Sequence, residues 1–287
     1  MKPILAATAA AMLAIAGAAP ALAQDADNIP GDGDTVFDDK WLSIGVGAVY
    51  SPSYSGSDDY VVSPIPIVQG RVGDFSLNPR AGGAALSYAP QNDSAVDFTV
   101  GVVGKISRNR ASQIEDTVVE MYGEFDTAIE VGPTVGVSLS GVLNQYDSLS
   151  FNLDALWDVA GAHRGMTFSP GVTYFTPLSR GTAVSLSFGA THVDDDYADY
   201  YYSVPQIATL LPANTLPAFQ ADGGFEKVSV NLLAGVDLNG NLADGGLALI
   251  FLGGYSRLLG DAKRSPFTSI RGDADQWMGA LGIGYTF

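Results

Sequence analysis

Trp277-Met278-Gly279-Ala280-Leu281-Gly282-Ile283-Gly284-Tyr285-Thr286-Phe287 is the stretch on which the fold turns. Taken in steps of two, Trp277, Gly279, Leu281, Ile283, Tyr285 and Phe287 share one face. Met278, Ala280, Gly282, Gly284 and Thr286 share the other. Successive side chains of a strand point to opposite faces, so this is a strand with a bulky apolar face and a small one. Its 11 residues match the roughly 9–11 that a tilted membrane-crossing strand needs. An edge strand of a soluble sandwich would alternate in the same way, so the rest of the chain must decide.

The same alternation runs back along the chain. Leu42, Ile44, Val46, Ala48 and Tyr50 oppose Ser43, Gly45 and Gly47. Val96, Phe98, Val100 and Val102 oppose Asp97, Thr99 and Gly101. From Ile129 onward the pattern is clean through segments centred near 135, 153, 170, 188 and 232. The segment 247–255 is blurred by Ile250 and Leu252, which fall on its small face. Residues 62–72 read as a strand containing Pro64 and Pro66, and 75–88 as one further strand after a Gly73-Asp74 turn. Proline removes a ladder donor, so these two should lie at the beginning of the strand or at a bulge. Residues 107–125 show no period of two and read as a long loop with a helical turn around 113–121. The count is then eleven strands, whereas single-chain bacterial barrels use even numbers. One assignment between Val62 and Lys105 must therefore be wrong; twelve strands are expected, with ten as the alternative.

Two features separate a barrel from a sandwich. Asp97, Glu130, Asp154, Lys227 and Asp237 all sit in the small or polar phase, while the opposite phase is apolar with aromatic residues near several ends. That is apolar-out, polar-in patterning with interfacial aromatics. Short connections at 141–146, 177–181 and 239–241 also alternate with long ones at 193–224 and 258–276. Outer-membrane barrels have short periplasmic turns and longer outward loops. Closing the sheet satisfies every backbone group in lipid, which an open edge does not. The expected fold is all-β: a transmembrane antiparallel up-and-down β-barrel over residues 41–287, in the cell outer membrane.

Residues 1–23 read as a secretory signal peptide, with Lys2, an apolar run over 4–19 and an Ala21-Leu22-Ala23 cleavage site. Residues 24–40 are polar and acidic and read as a flexible periplasmic lead. The chain has 34 Gly and no Cys, so packing and hydrogen bonding replace disulfide staples. Its formal charge of −17 argues against nucleic acid as a partner.

Polar candidates are few. His192 with Asp194, Asp195 and Asp196 is the sharpest cluster, and the three carboxylates are weak candidates for a metal site. A solvated loop at a strand end is the plainer reading of them. No nucleophile pairs visibly with His192 or His163, so no catalytic residue is assigned, no cofactor is expected and the protein is read as a non-enzyme. Residues 194–202 hold four Asp and four Tyr, which suits a recognition surface or an interfacial anchor. The charges of the polar phase either line an open pore or pair with one another. Ser57-Asp58-Asp59 and Asp261 with Lys263 and Arg264 read as loop charges.

Three motifs resemble the MipA/OmpV family, the MltA-interacting proteins of the outer membrane. They are Pro52-Ser-Tyr54-Ser-Gly56-Ser-Asp58 with Pro64-Ile-Pro66; Ser187-Phe-Gly189-Ala-Thr191-His-Val-Asp194-Asp-Asp-Tyr197 with Tyr202-Ser-Val204; and Tyr255-Ser-Arg257-Leu-Leu-Gly260-Asp261-Ala-Lys-Arg-Ser265-Pro266 with Arg271-Gly and the terminal strand. The resemblance implies an outer-membrane barrel that contacts lipid and lipopolysaccharide. It also implies a scaffold linking a lytic transglycosylase to a peptidoglycan synthase, with a small porin or adhesin as the alternative. Tyr285 and Phe287 resemble the terminal signature read by the barrel assembly machinery.

Overall fold

The computed structural model describes residues 35–38, 40–90, 94–206 and 215–287. Residues 1–23, read above as a signal peptide, and most of 24–40, read as a periplasmic lead, lie outside the described residues. Twelve strands form: β1 Trp41–Pro52, β2 Tyr60–Val72, β3 Phe75–Arg80, β4 Gly83–Tyr88, β5 Val96–Ser107, β6 Ala128–Ser140, β7 Ser148–Asp158, β8 Met166–Ser179, β9 Thr182–Val193, β10 Gly224–Asp237, β11 Gly246–Leu258 and β12 Asp275–Thr286. Each pairs with its chain neighbours, and β1 closes on β12 to complete an antiparallel barrel. Among the described residues no helix is long and apolar enough to cross a membrane.

The sequence reading of 75–88 as one strand is corrected. It is a hairpin, β3 and β4, with Arg80 opposite Gly83 and a turn at Ala81-Gly82, where Gly82 takes φ 78°. A two-residue turn adds so little chain that two six-residue strands pass for one long one. This restores the even number, inside the interval where the error was expected. The placement of Pro64 and Pro66 is corrected too. They sit mid-strand in β2, in regular register opposite Ala48 and Val46 of β1.

Which face is which follows from burial. Val46, Phe98 and Val72 point outward and are 65, 71 and 70 % exposed. Ser43 opposite Thr286, and Thr134 opposite Asp154, point into the lumen and are hydrogen-bonded there. Exposed aliphatic side chains ringing a closed barrel mark its surface as one that meets lipid rather than water. Aromatic pairs mark two levels: Tyr50–Tyr60 and Tyr255–Trp277 at one end, Phe75–Tyr88 and Phe37–Trp41 at the other. The second end carries the tight turns and is the periplasmic one. The first carries the long loops, which hold α1 Thr117–Glu120, α2 Asp195–Tyr202, α3 Gly260–Arg264 and α4 Pro266–Ser269. The helical turn expected around 113–121 is α1.

Candidate functional site

The long loops fold across the outer mouth as a packed cap. Two clusters of buried side chains build it, one around Tyr197, Tyr201 and Tyr202, the other around Tyr54, Val119 and Phe267. The loop sequences dictate this. In α2, Tyr197, Ala198, Tyr201 and Tyr202 recur at helical spacing and turn one face inward.

The acidic run before them serves that helix. Asp194 is its N-cap, accepting from the Tyr197 N–H at 3.0 Å, and its second oxygen takes the Met166 N–H at 2.8 Å. Asp195 accepts from the Gly223 N–H at 2.7 Å, and Asp196 is exposed. His192 lies in the outward phase of β9, edge-on to Phe225 at 5.3 Å. These four residues therefore do not converge on one point. Among the described residues no group of three His, Cys, Asp or Glu side chains is placed to hold a metal ion.

Two buried carboxylates hold the cap from below. Glu226, at the bulge in β10, accepts from the Tyr202 hydroxyl at 2.6 Å and the Tyr197 hydroxyl at 3.2 Å, with Lys227 Nζ at 3.4 Å. Glu130 accepts from Lys105 Nζ at 3.0 Å and lies 3.6 Å from His163 Nε2. The Gly165 N–H donates to His163 Nδ1 at 3.0 Å, which turns Nε2 toward Glu130. Burial pushes the hydroxyls of Tyr197 and Tyr202 well above their ordinary pKa, with the charge of Glu226 adding to it. Burial likewise raises Tyr54 and Tyr201.

The cap also ties opposite walls together. Arg271 donates from Nε and Nη2 to one oxygen of Asp116, at 3.0 and 2.7 Å. Arg110, 3 % exposed, is sandwiched between the rings of Phe125 and Phe267, at 3.9 and 4.1 Å from their centroids. Burial lowers its pKa to about 10. Asn109 accepts from the Ser55 N–H at 2.8 Å, and Ser55 Oγ lies 3.1 Å from the Tyr202 hydroxyl oxygen, which accepts its proton.

Below the cap the lumen has two unlike walls. On β3 to β9, Arg80 Nε donates to Asp154 at 3.0 Å, Thr134 donates to the same carboxylate, and Ser138–Ser150 and Thr173–Ser187 form hydroxyl pairs. On β10 to β2 the lumen phase carries Leu233, Ile250, Leu252, Met278, Ile65 and Ile67. Leu233 is 41 % exposed although it points inward. Of the polar-phase charges, Glu130, Asp154 and Lys227 thus meet Lys105, Arg80 and Glu226. Asp237 instead closes the β10–β11 turn, accepting from the N–H groups of Asn239, Gly240 and Asn241. Asp97 faces the lumen opposite Ser138.

The periplasmic rim is equally fixed. Asp147 accepts from the N–H groups of Val142, Leu143 and Asn144 at 2.7, 3.0 and 3.1 Å, and from the Tyr174 hydroxyl at 2.7 Å. Burial works to raise this carboxyl, but the hydrogen bonds outweigh it and hold it below the usual range. The turn so locked displays Val142 and Leu143, 43 and 79 % exposed, and the β10–β11 turn displays Leu238 at 53 %.

A closed barrel with an apolar exterior, two aromatic levels and a loop-built cap is an outer-membrane β-barrel protein. The chain matches the family described as MltA-interacting protein MipA over residues 44–287, and it belongs to that family. No curated protein matches it. Among solved structures, the NanC porin is 9% identical with a TM-score of 0.42, covering 86% of this chain and 98% of its own. An outer membrane channel from Pseudomonas putida F1 is 12% identical with a TM-score of 0.42, covering 90% and 99%. OmpT of Vibrio cholerae is 8% identical with a TM-score of 0.36, covering 87% and 97%.

The residues that sequence reasoning missed are Glu226, Arg110 and the Asp116–Arg271 pair. Glu226 sits at the bulge, where the register shifts between Phe225 and Lys227 and the alternation that flags lumen positions breaks.

Proposed function

We propose that this barrel is a non-enzymatic scaffold of the cell envelope, exported by a cleaved signal peptide over residues 1–23. It brings a lytic transglycosylase and a peptidoglycan synthase together beneath the outer membrane. The family's description supports the first partner. The observation that carries the reading is the rim turn 141–147, where Asp147 fixes a backbone whose tip presents Leu143 to the periplasm at 79 % exposure. A rigid turn bearing apolar side chains loses little entropy on docking and gains by their burial. The outer face contacts lipid and lipopolysaccharide. Tyr285 and Phe287, outward and in tilted ring contact at 4.7 Å, serve as the signal for the barrel assembly machinery.

The test is binding of a purified lytic transglycosylase to the barrel in nanodiscs. Saturable binding, weakened about tenfold or more by Leu143→Asp, supports the scaffold. No binding to the unmodified barrel removes it. The small-porin reading is disfavoured by a cap that crosses the mouth.

A further inference from the structure

The wall of this barrel is incomplete on one side. β2 and β3 share only three rungs, Val72–Phe75, Arg71–Ser76 and Gly70–Leu77. Among the described residues, the rest of β2, from residue 60 to 69, is laddered to β1 alone. β3 is too short to continue the ladder: in the register of these rungs its last residue, Arg80, falls opposite Ile67, so residues 60–66 of β2 meet no β3 residue. Gly73-Asp74 is a two-residue turn, so Val72 and Phe75 form its hydrogen-bonded closing pair. Even-numbered residues of β2 and odd-numbered residues of β3 therefore aim their N–H groups into this seam. Pro64 and Pro66 on β2 and Pro79 on β3 are the ones that have no N–H to give. Of these, Pro79 removes the donor that would face Val68, at the next hydrogen-bonded rung β3 could make.

The opening has a floor and a lintel. The Gly70–Leu77 rung bounds it on the periplasmic side. On the outer side, the Ser55 N–H bond to Asn109 joins the β1–β2 loop to the β5–β6 loop, passing over the β3–β4 hairpin. The window thus faces the outer leaflet. It leads to the apolar wall of the lumen, where Ile65 and Ile67 of β2 begin a stripe continued by Met278, Ile250, Leu252 and Leu233. Across the lumen stands the hydroxyl-rich wall with its paired charges.

The geometry points to a lateral portal for a single-chain amphiphile, which passes between the outer leaflet and the lumen through the β2–β3 seam. Where β2 has no β3 residue opposite it, the wall gives way to one alkyl chain and still excludes a folded partner. The apolar stripe takes the chain, and the hydroxyl wall takes the polar head. Non-regular backbone at membrane depth is tolerated where it borders such a cavity. The prolines also deny the exposed edge to strand addition by another protein.

The test uses the full barrel in nanodiscs, in a chain free of native cysteine. Leu233→Cys carries a nitroxide through a thioether, and dansyl-labelled undecanoic acid is the probe. Gln69→Cys with Asn78→Cys, lumen-facing neighbours on the rung beyond Gly70–Leu77, gives a disulfide that pins the hairpin to β2. The portal predicts that the nitroxide quenches the dansyl group, at a rate at least tenfold lower in the oxidised protein and restored on reduction. Pro79→Val, which restores the donor facing Val68, should slow quenching as well. Equal rates in the oxidised and reduced forms and in the Pro79→Val variant, or no quenching in any form, would overturn it.

Discussion

Arg271 and Asp116 join opposite sides of the barrel. Both guanidinium contacts, at 2.7 and 3.0 Å, fall on one carboxylate oxygen. The β11–β12 loop that carries Arg271 and the β5–β6 loop that carries Asp116 are six strands apart in a ring of twelve. The ion pair is therefore a strut across a diameter of the mouth.

Arg271→Ala should loosen that strut. Arg271 is partly exposed and its charge is screened, so a double-mutant cycle with Asp116→Ala should give a coupling of about 0.5–1 kcal/mol. In planar bilayers the unmodified barrel should be silent and the Arg271→Ala barrel should show brief openings. Steady conductance by the unmodified protein would show that the cap does not close the mouth.

The cap should fail at alkaline pH. Tyr54, Tyr197, Tyr201 and Tyr202 are all raised by burial above the ordinary tyrosine value of 10.0. Above that value the unfolded chain loses protons that the folded cap keeps, so the cap's stability falls as pH rises further. Arg110, lowered to about 10, has the opposite sign, but it is one group against four. Near-ultraviolet circular dichroism should hold below pH of about 10 and collapse above it, together with the rise of phenolate absorbance. Ionisation of all 13 tyrosines near the ordinary value with the circular dichroism intact would contradict the burial.

The lumen pair should matter more than an exposed one. Asp154 is almost fully buried, so Arg80→Ala leaves its carboxylate with Thr134 alone. The loss should be about 1–3 kcal/mol, read as a lower unfolding midpoint in detergent. Arg80→Ala combined with Asp154→Ala should recover part of it, because no buried charge is then left unpaired. An unchanged midpoint in Arg80→Ala would mean that the pair contributes nothing.

Phe287→Ala should reduce assembly rather than stability. The ring is 64 % exposed and is in ring contact only with Tyr285. Less folded barrel should reach the outer membrane, while purified variant and parent melt alike. Normal membrane levels would remove the assembly signal.

The membrane-facing phase was legible because lipid imposes a period of two along every full-length strand. Val46, Phe98 and Ile283 announce themselves in sequence as they do in the fold. The β3–β4 hairpin was not, because its two-residue turn hides inside what looks like one strand. Nor was the cap. Glu226 meets Tyr202, and Asp116 meets Arg271, through contacts separated by 24 and 155 residues, which no local pattern records. Asp194 and Asp195 looked like ligands because a run of carboxylates resembles a cation site; helix capping asks for the same residue at the same place.

The scaffold is tested most directly inside the cell. A photo-reactive amino acid placed at position 143, on the exposed turn fixed by Asp147, is activated in living cells and the adducts are identified by mass spectrometry. A lytic transglycosylase should be the principal adduct and a peptidoglycan synthase should be recovered with it; adducts to lipid alone, or to no murein enzyme, would contradict the scaffold.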